Sequence, residues 1–358
     1  MTAAARPAPT ADIVIVNWNT GRYLGDCLRS IVGTDRSQLC VARIVVVDNA
    51  SGDDSLHGLT AAGIPLEVVR NARNRGFAAA CNQGAARGDS DYLLFLNPDT
   101  RLYPDTLQVM GRLLRRPETD GFGIFGALMV DEAGHQQISC SRFPTLRVLA
   151  GKMTGLDRLV PALFPPHHLR PRDLTRSGAV DQVIGAFLLV RRPVFTELNG
   201  FDERYFLYFE EVDFALRARR AGWPSYFVRQ ARVHHAGNVS SAQLGPWRHY
   251  LMLRSRSRYA FLHWTKPQAW LLMALTLSVE PAVRLAAAAV RGQWADLGPT
   301  LGVYLRFLRW LRASRDQNSL DPLDPLDPVP RNEAGHSCTP SAAFPDRPPD
   351  RPPDRPPD

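Results

Sequence analysis

The sequence predicts an α/β fold: a Rossmann-like, doubly wound and mostly parallel sheet followed by a C-terminal helical extension. Three observations carry that expectation. Short apolar runs alternate with segments of helical periodicity over the first hundred residues, the runs are apolar on both faces, and each stops abruptly on polar residues. A repeated strand-helix order of this kind implies right-handed crossovers with helices on both faces of the sheet.

Asp12-Ile13-Val14-Ile15-Val16-Asn17 reads as the first buried strand, and Tyr23 to Ile31 places apolar residues at helical spacing. Arg43-Ile44-Val45-Val46-Val47-Asp48-Asn49 repeats the strand pattern. Asp53 and Asp54 are placed to cap a helix running through His57 and Leu59, Leu66 to Val69 reads as a third strand, and Gly76 to Arg87 as a helix of small residues. Tyr92-Leu93-Leu94-Phe95-Leu96 then ends on Asn97-Pro98-Asp99, because proline offers no N–H to continue a ladder. Asp99 therefore stands at the carboxyl edge of a central strand, where open α/β sheets bind ligands. Asn-Pro-Asp is also ordinary turn chemistry, so this acid alone decides nothing.

Beyond it, Pro104 to Arg115 reads as a helix and Phe122 to Val130 as a strand. The strand holds a formal G-x-G-x-x-G from Gly121 to Gly126, but those glycines lead into a strand instead of opening a helix, which excludes a dinucleotide fingerprint. Residues 141–178, rich in proline and arginine, read as a long irregular segment that could lie over the site. Val183 to Val190 is a strand, Pro193 to Leu198 a short helix, and Tyr205 to Arg219 a longer helix stopped by Gly222. Ser225 to Val228 and Arg232 to His235 are two strand-like pieces. Ala269 to Val290 is the stretch nearest to a membrane segment, yet it contains Glu280, Pro281 and Arg284, and a charge at a spanning helix centre costs roughly 2.5–3.5 kcal/mol. With Trp264, Trp270, Trp294, Trp310 and many arginines nearby, it reads either as an interfacial amphipathic region or as a core helical subdomain. The resulting organisation is an N-terminal tail (1–11), an α/β domain (12–242), a helical extension that could associate with a membrane surface (243–318) and a disordered Pro/Asp/Arg-rich tail (319–358).

With 358 residues, 45% hydrophobic and 22% charged, the chain is long enough to bury a large core. Its net charge of +8 suits an anionic membrane surface or a phosphorylated substrate as well as nucleic acid, but the basic-aromatic motif of a nucleic-acid reader is missing. Five cysteines, odd in number and without a C-x-x-C pair, indicate neither a disulfide framework nor a zinc site, and point to a reducing cytoplasm. Met1 to Ala11 lacks the apolar core of a secretory signal.

Four polar features recur at strand ends or on the helix after Tyr205: Asp48-Asn49, Asn97-Pro98-Asp99, Glu210-Glu211 and His234-His235. Each has a plain reading as a turn, a solvated helix face or a half-buried strand pair. Together they supply what group transfer from a diphosphate needs, namely an acid that recognises a base, an acid that holds a metal, a carboxylate that takes a proton and a neutral imidazole.

Val16-Asn17-Trp18-Asn19, Val47-Asp48-Asn49-Ala50-Ser51, Asn74-Arg75-Gly76-Phe77 through Gly84, Leu96-Asn97-Pro98-Asp99, and Gly200-Phe201-Asp202-Glu203 through Asp213 resemble, in that order, the family 2 glycosyltransferases. The likeness covers about residues 11–242 and is nearest to the rhamnosyltransferase-like branch of bacterial polysaccharide synthesis. It implies a GT-A fold and inverting transfer from a nucleotide-diphosphate sugar, dTDP-rhamnose by branch likeness with UDP- and GDP-sugars open, to a glycan or polyprenyl-diphosphate-linked acceptor. By the same likeness Asp48 contacts the nucleobase, Asn17 and Asn74 line the nucleotide pocket, and Asp99 binds Mg²⁺ or Mn²⁺ as the final acid of a D-x-D motif whose first acid is here Asn97. His234 or His235 matches the family's late histidine, and adjacent strand residues face opposite ways, so only one can point inward. Glu211 occupies the position of the catalytic base, usually Asp, with Glu210 as the competing candidate. The expected location is the cytoplasm, or the inner face of the cell membrane. Two other classes compete. A sugar nucleotidyltransferase would carry a glycine-rich basic loop after the first strand, where this chain has Trp18-Asn19-Thr20-Gly21-Arg22, and a non-catalytic nucleotide- or nucleic-acid-binding module driven by the arginines would carry the basic-aromatic motif that is missing here.

Overall fold

A computed structural model describes residues 7–237 and 239–316. The expected C-terminal tail and the start of the N-terminal one lie outside the described residues. The strands are β1 (Thr10–Asn17), β2 (Cys40–Asp48), β3 (Leu66–Arg70), β4 (Tyr92–Leu96), β5 (Thr100–Leu102), β6 (Ile124–Val130), β7 (Cys140–Ser141), β8 (Gly178–Val180), β9 (Gln182–Val183), β10 (Phe187–Arg191) and β11 (Ser225–His235). The helices are α1 (Arg22–Gly33), α2 (Phe77–Ala85), α3 (Thr106–Leu114), α4 (Leu146–Thr154), α5 (Leu156–Leu159), α6 (Arg192–Glu197), α7 (Glu210–Arg220), α8 (Val239–Ala242), α9 (Pro246–His263), α10 (Lys266–Leu277), α11 (Val279–Val290) and α12 (Leu297–Asp316).

The main sheet runs β3-β2-β1-β4-β10-β6-β11-β5, with β8 also on β11. β1, β2, β3 and β4 are parallel, while β10 is antiparallel to both β4 and β6 and β11 is parallel to β6. The carboxyl ends of β1, β2, β4 and β11 therefore share one edge with the amino end of β10. Alternation along each strand splits the core into two layers. Ile13, Ile15, Ile44, Val46, Leu94 and Leu96 face α1 and α3, whereas Val14, Val16, Val45, Val47, Leu93 and Phe95 face α2, α6 and α7. Small residues let α2 approach closely: a Cβ on Gly84 would run into Val14 and Val47. Phe95, Phe195, Phe201 and Phe214 pack with centroids 4.9–5.4 Å apart, tying α6 and α7 to the central strand. This is a doubly wound, mostly parallel plan with helices beyond it.

Several local expectations are corrected. The helix expected from Asp53 shrinks to one 3-10 turn, Asp54–Leu56; Asp53 caps it by accepting from the Ser55 N–H at 3.2 Å, but Gly58, at φ 64°, ends any continuation. Residues 141–178 are not irregular throughout. The stretch from Thr145 to Val160 is free of proline, Thr145 caps α4 through the Val148 N–H, and Gly155 in the left-handed region divides α4 from α5. The strand expected over 183–190 breaks at Ile184–Ala186 into β9 and β10. The helix expected from Tyr205 starts only at Glu210, because Tyr208 and Phe209 both hold positive φ (68° and 70°). The two pieces after Ser225 are one strand whose register against β6 shifts between Val228 and Arg232.

The C-terminal helices bury Tyr250, Leu253, Leu272, Met273, Tyr304 and Phe307 in a third core, to which Trp18, Phe206 and Leu207 of the α/β part also contribute. Glu280 and Arg256 are both buried and meet at 2.6 Å, so the charge that argued against a span is paired inside this bundle. By length and composition alone, Lys266–Val290 is long and apolar enough to cross a membrane; 28% of its most apolar window is buried.

Candidate active site

The carboxyl edge carries two clusters. In the first, the Asn17 side chain at the end of β1 donates to Asp48 Oδ1 (2.9 Å), Ser51 Oγ (3.0 Å) and Ser55 Oγ (2.8 Å), and accepts from the Thr20 hydroxyl. Asp48 Oδ2 accepts from the Ser51 N–H at 3.2 Å. Asn17 thus orients Asp48 through register, since the two residues are paired across β1 and β2. Asn49, also buried, donates to the Gly76 carbonyl and accepts from Asn71. Asn74 makes an Asx turn, accepting from the Gly76 N–H at 2.9 Å. The expected nucleotide-side residues Asn17 and Asp48 therefore form one hydrogen-bonded unit, and Asn74 shapes the turn beside it.

The second cluster forms where the chain leaves β4 and joins β11. The Asn97 N–H donates to the Ala186 carbonyl and the Asn97 carbonyl accepts from Thr100, so the turn locks against the start of β10. Asp99 is buried, with Oδ1 3.5 Å from His235 Nε2 and Oδ2 3.4 Å from the Val239 N–H. Burial raises its pKa, but the His235 imidazole and the N–H donors outweigh that and hold it below the usual carboxylate range. His234 faces the other way: its Nδ1 accepts from Arg101 Nε at 3.4 Å and its Nε2 lies 3.1 Å from Glu132. Burial first, then Arg101, lowers its pKa. Pairing explains the split, because His235 lies opposite Thr100 and His234 opposite Arg101. Of the two candidate imidazoles, His235 is the one beside Asp99.

The two carboxylates at the start of α7 also diverge. Glu210 is 5% exposed, with Oε2 buried and unpartnered. Burial, then the neighbouring Glu211, pushes its pKa well above the ordinary value, and its field reaches Cys81 on α2. Glu211 lies over the break between β9 and β10: a Cβ on Gly185 would sit 3.6 Å from its Cγ and 3.9 Å from its Cδ. Its Oε2 is likewise shielded and unpartnered, and burial raises its pKa. Through Gly185-Ala186 the Glu211 side chain is thus one residue from the backbone that pins the Asn97-Pro98-Asp99 turn.

Residues that sequence reasoning did not single out hold this arrangement. α9 grips the entry to α7: Ser255 Oγ donates to the Leu207 carbonyl at 2.8 Å, Arg248 Nε to the Tyr208 hydroxyl at 2.8 Å, and Phe209 packs on Tyr259. His263 Nε2 meets Asp213 Oδ1 at 2.6 Å while Arg217 takes the other oxygen at 2.7 Å. The Asp213–Arg217 pair is the one part of this arrangement that the sequence spacing predicts, as an i,i+4 ion pair, and Gly185, an isolated glycine within a strand pattern, marks the close approach of Glu211.

A divalent cation fits the second cluster on two observations: Asp99 is held ionised, and the buried Nε2 of His235 has no hydrogen-bond partner. Among the described residues, no group of three or more His, Cys, Asp or Glu side chains could hold a metal by protein ligands alone.

With that geometry in place, residues 12–138 match the sequence profile of Glycosyl transferase family 2. Over that stretch the chain is similar to a family 2 glycosyltransferase domain. Over 285 residues it is 28% identical to the N-acetylglucosaminyl-diphospho-decaprenol L-rhamnosyltransferase of Mycobacterium tuberculosis, covering 73% of this chain and 88% of that protein. It is 31% identical to Rhamnosyltransferase WbbL of Escherichia coli over 151 residues, 41% of this chain and 53% of that one. Among solved structures, the mannosyltransferase PcManGT from Pyrobaculum calidifontis, in complex with GDP-Man and Mn²⁺, aligns over 86% of each chain with a TM-score of 0.47 and 18% identity.

Proposed function

We propose that this glycosyltransferase moves rhamnose, with inversion, from dTDP-rhamnose to a hydroxyl of a polyprenyl-diphosphate-linked glycan at the cytoplasmic face of a membrane. The observation that carries the reading is Glu211, a shielded carboxylate with an unpartnered oxygen and a raised pKa beside the turn that holds Asp99. A carboxylate whose pKa is lifted toward neutrality is matched to removing a hydroxyl proton. In the reaction, Glu211 takes the acceptor O–H proton as that oxygen bonds to the sugar C1. The C1–O bond to the diphosphate breaks on the opposite side, and the nucleoside diphosphate leaves with the bonding pair. Burial raises the pKa of both neighbouring carboxyls, and Glu210, the less exposed of the two, keeps its own proton in this reading while Glu211 ionises.

Asp48, oriented by Asn17, receives the nucleobase, with Asn74 shaping the neighbouring turn and Asn97 fixing the approach to the diphosphate. Asp99 and His235 are the residues that would hold Mg²⁺ or Mn²⁺. When bound, the cation supplies charge neutralisation for the leaving diphosphate. The mycobacterial relative, an N-acetylglucosaminyl-diphospho-decaprenol L-rhamnosyltransferase, and the Escherichia coli rhamnosyltransferase motivate the choice of rhamnose, and the former that of a lipid diphosphate acceptor. A panel of dTDP-, UDP- and GDP-sugars, scored for nucleoside diphosphate release with a short polyprenyl-diphosphate N-acetylglucosamine present, tests it. Release of dTDP that requires both acceptor and divalent cation is expected. Selective turnover of another donor, or full turnover in excess EDTA, overturns the reading.

A further inference from the structure

A helix on a protein surface ordinarily turns polar residues outward. α10 and α11 do the opposite. The outward positions of α10 include Pro267, Trp270, Leu271 and Ala274, and those of α11 include Ala282, Val283, Ala286 and Val290. Trp270 is 45% exposed, Leu271 49% and Val290 88%, and Trp294 just beyond them is 67% exposed. These positions recur every three or four residues, so they form stripes along the helices. Cations outnumber acids along this stretch: between Trp264 and Ala313 the sequence holds Lys266, Arg284, Arg291, Arg306, Arg309 and Arg312 against only Glu280 and Asp296. Glu280 is buried between Arg256 and Arg284, and Arg306 lies over Trp247 of α9.

We propose that this face is a docking surface for an anionic lipid bilayer, on which α10 and α11 lie in the plane of the headgroups with Trp270, Leu271, Val283 and Val290 sunk into the acyl boundary. The charge pattern selects this occupant. An apolar stripe on helices bounded by Lys266 and Arg291, with Arg309 and Arg312 on the helix packed beside them and Asp296 the one exposed acid, matches a negatively charged surface, and tryptophan prefers that interface. A second copy of the chain docking on the same face by two-fold symmetry would set this positive field against itself. A membrane-crossing orientation would pull α11 away from α9 and leave Arg256 and Glu280 unpaired. The other side of the same helical block packs on Trp18, Phe206 and Leu207, next to the strand-end site, so docking would hold that site close to the lipid surface.

The test reads binding alone, without donor or acceptor, so its failure is separable from failure of the proposed transfer. The purified full-length chain is sedimented with vesicles of equal phosphatidylglycerol and phosphatidylcholine, and with phosphatidylcholine alone. Binding to the anionic vesicles at least tenfold tighter is expected. Lys266→Glu with Arg309→Glu should weaken it tenfold or more, as removal of cations at a charged bilayer does. Trp270→Ser with Leu271→Ser should weaken it at constant charge, with circular dichroism showing that each double variant is folded, since loss of the edge-on Trp270–Phe261 contact lowers stability without unfolding the chain. Three results overturn the proposal: no preference for anionic vesicles, binding that neither double variant alters, or a dimer dissolved by Trp270→Ser in a chain that ignores vesicles. Resistance to extraction at alkaline pH would also overturn it, in favour of a spanning helix.

Discussion

Replacing Gly76 by alanine should damage both stability and transfer, and the structure separates two causes. Gly76 holds φ 84°, which a side chain disfavours by roughly 1–3 kcal/mol. In addition, a Cβ there would stand 2.5 Å from the Phe206 carbonyl oxygen and 2.9 Å from the Phe206 Cα. Those are backbone atoms, and the Phe206 carbonyl already accepts from the Phe77 N–H at 2.7 Å, so the overlap cannot be relieved by a rotamer change. Overpacking of this kind costs about 1–3 kcal/mol. Gly58, at φ 64° with nothing within 4 Å of its Cβ position, provides the control that incurs only the conformational cost. Chemical denaturation should therefore place Gly76→Ala below Gly58→Ala by about 2 kcal/mol, or ~3 °C in thermal midpoint for a chain of this size. The strain is relieved only by moving the 205–209 segment, which carries the entry to α7, so the transfer rate of folded Gly76→Ala should also fall while Gly58→Ala keeps it. Equal midpoints for the two variants, or an unimpaired Gly76→Ala enzyme, would refute the coupling.

Glu210→Gln should stabilise the protein at neutral and higher pH. A carboxyl whose folded pKa is raised contributes stability that is fully present below the ordinary value of 4.5 and lost as pH rises through the folded one, so the advantage of glutamine should appear only above about pH 4.5 and grow with pH; thermal melts from pH 4 to 8 check this. His235→Ala should raise the divalent concentration needed for half-maximal activity by at least tenfold, whereas His234→Ala should leave it nearly unchanged, read from Mn²⁺ titrations; the reverse order would assign the inward histidine wrongly. Asp99→Asn should abolish cation-dependent turnover with the melting profile intact, and a fully active variant would remove the carboxylate from the mechanism.

Strands buried on both faces read as continuous apolar runs, which is why β1, β2 and β4 and the polar residues that end them were legible before any coordinates. Asn17, Asp48 and Asp99 could be placed on one edge for that reason. The choice between His234 and His235 was not legible, because it depends on pairing with Thr100 and Arg101, residues more than a hundred positions away. The true start of α7 was hidden as well. Tyr208 and Phe209 have no intrinsic preference for positive φ, and they are held there by Arg248 and Tyr259 of a helix that follows later in the chain. In the 141–178 segment the density of proline obscured a capping threonine and a terminal glycine that do mark α4. The Asn17–Ser51–Ser55 network joins the end of β1 to the connection after β2, and no local pattern announces it.

The most direct measurement of the central claim compares Glu211→Gln with Glu210→Gln for donor affinity and single-turnover transfer rate across pH. Glu211→Gln should bind donor normally and lose roughly 10²–10⁴-fold in rate, equivalent to about 3–5 kcal/mol of barrier, because the shape is kept and the base is gone. Glu210→Gln should retain most of the rate. In the unmodified enzyme the rate should climb as pH rises through a value above the ordinary carboxylate range, the point at which Glu211 ionises, and that limb should vanish in Glu211→Gln. An inactive Glu210→Gln beside an active Glu211→Gln would move the base by one residue, and two active variants would show that α7 does not supply it.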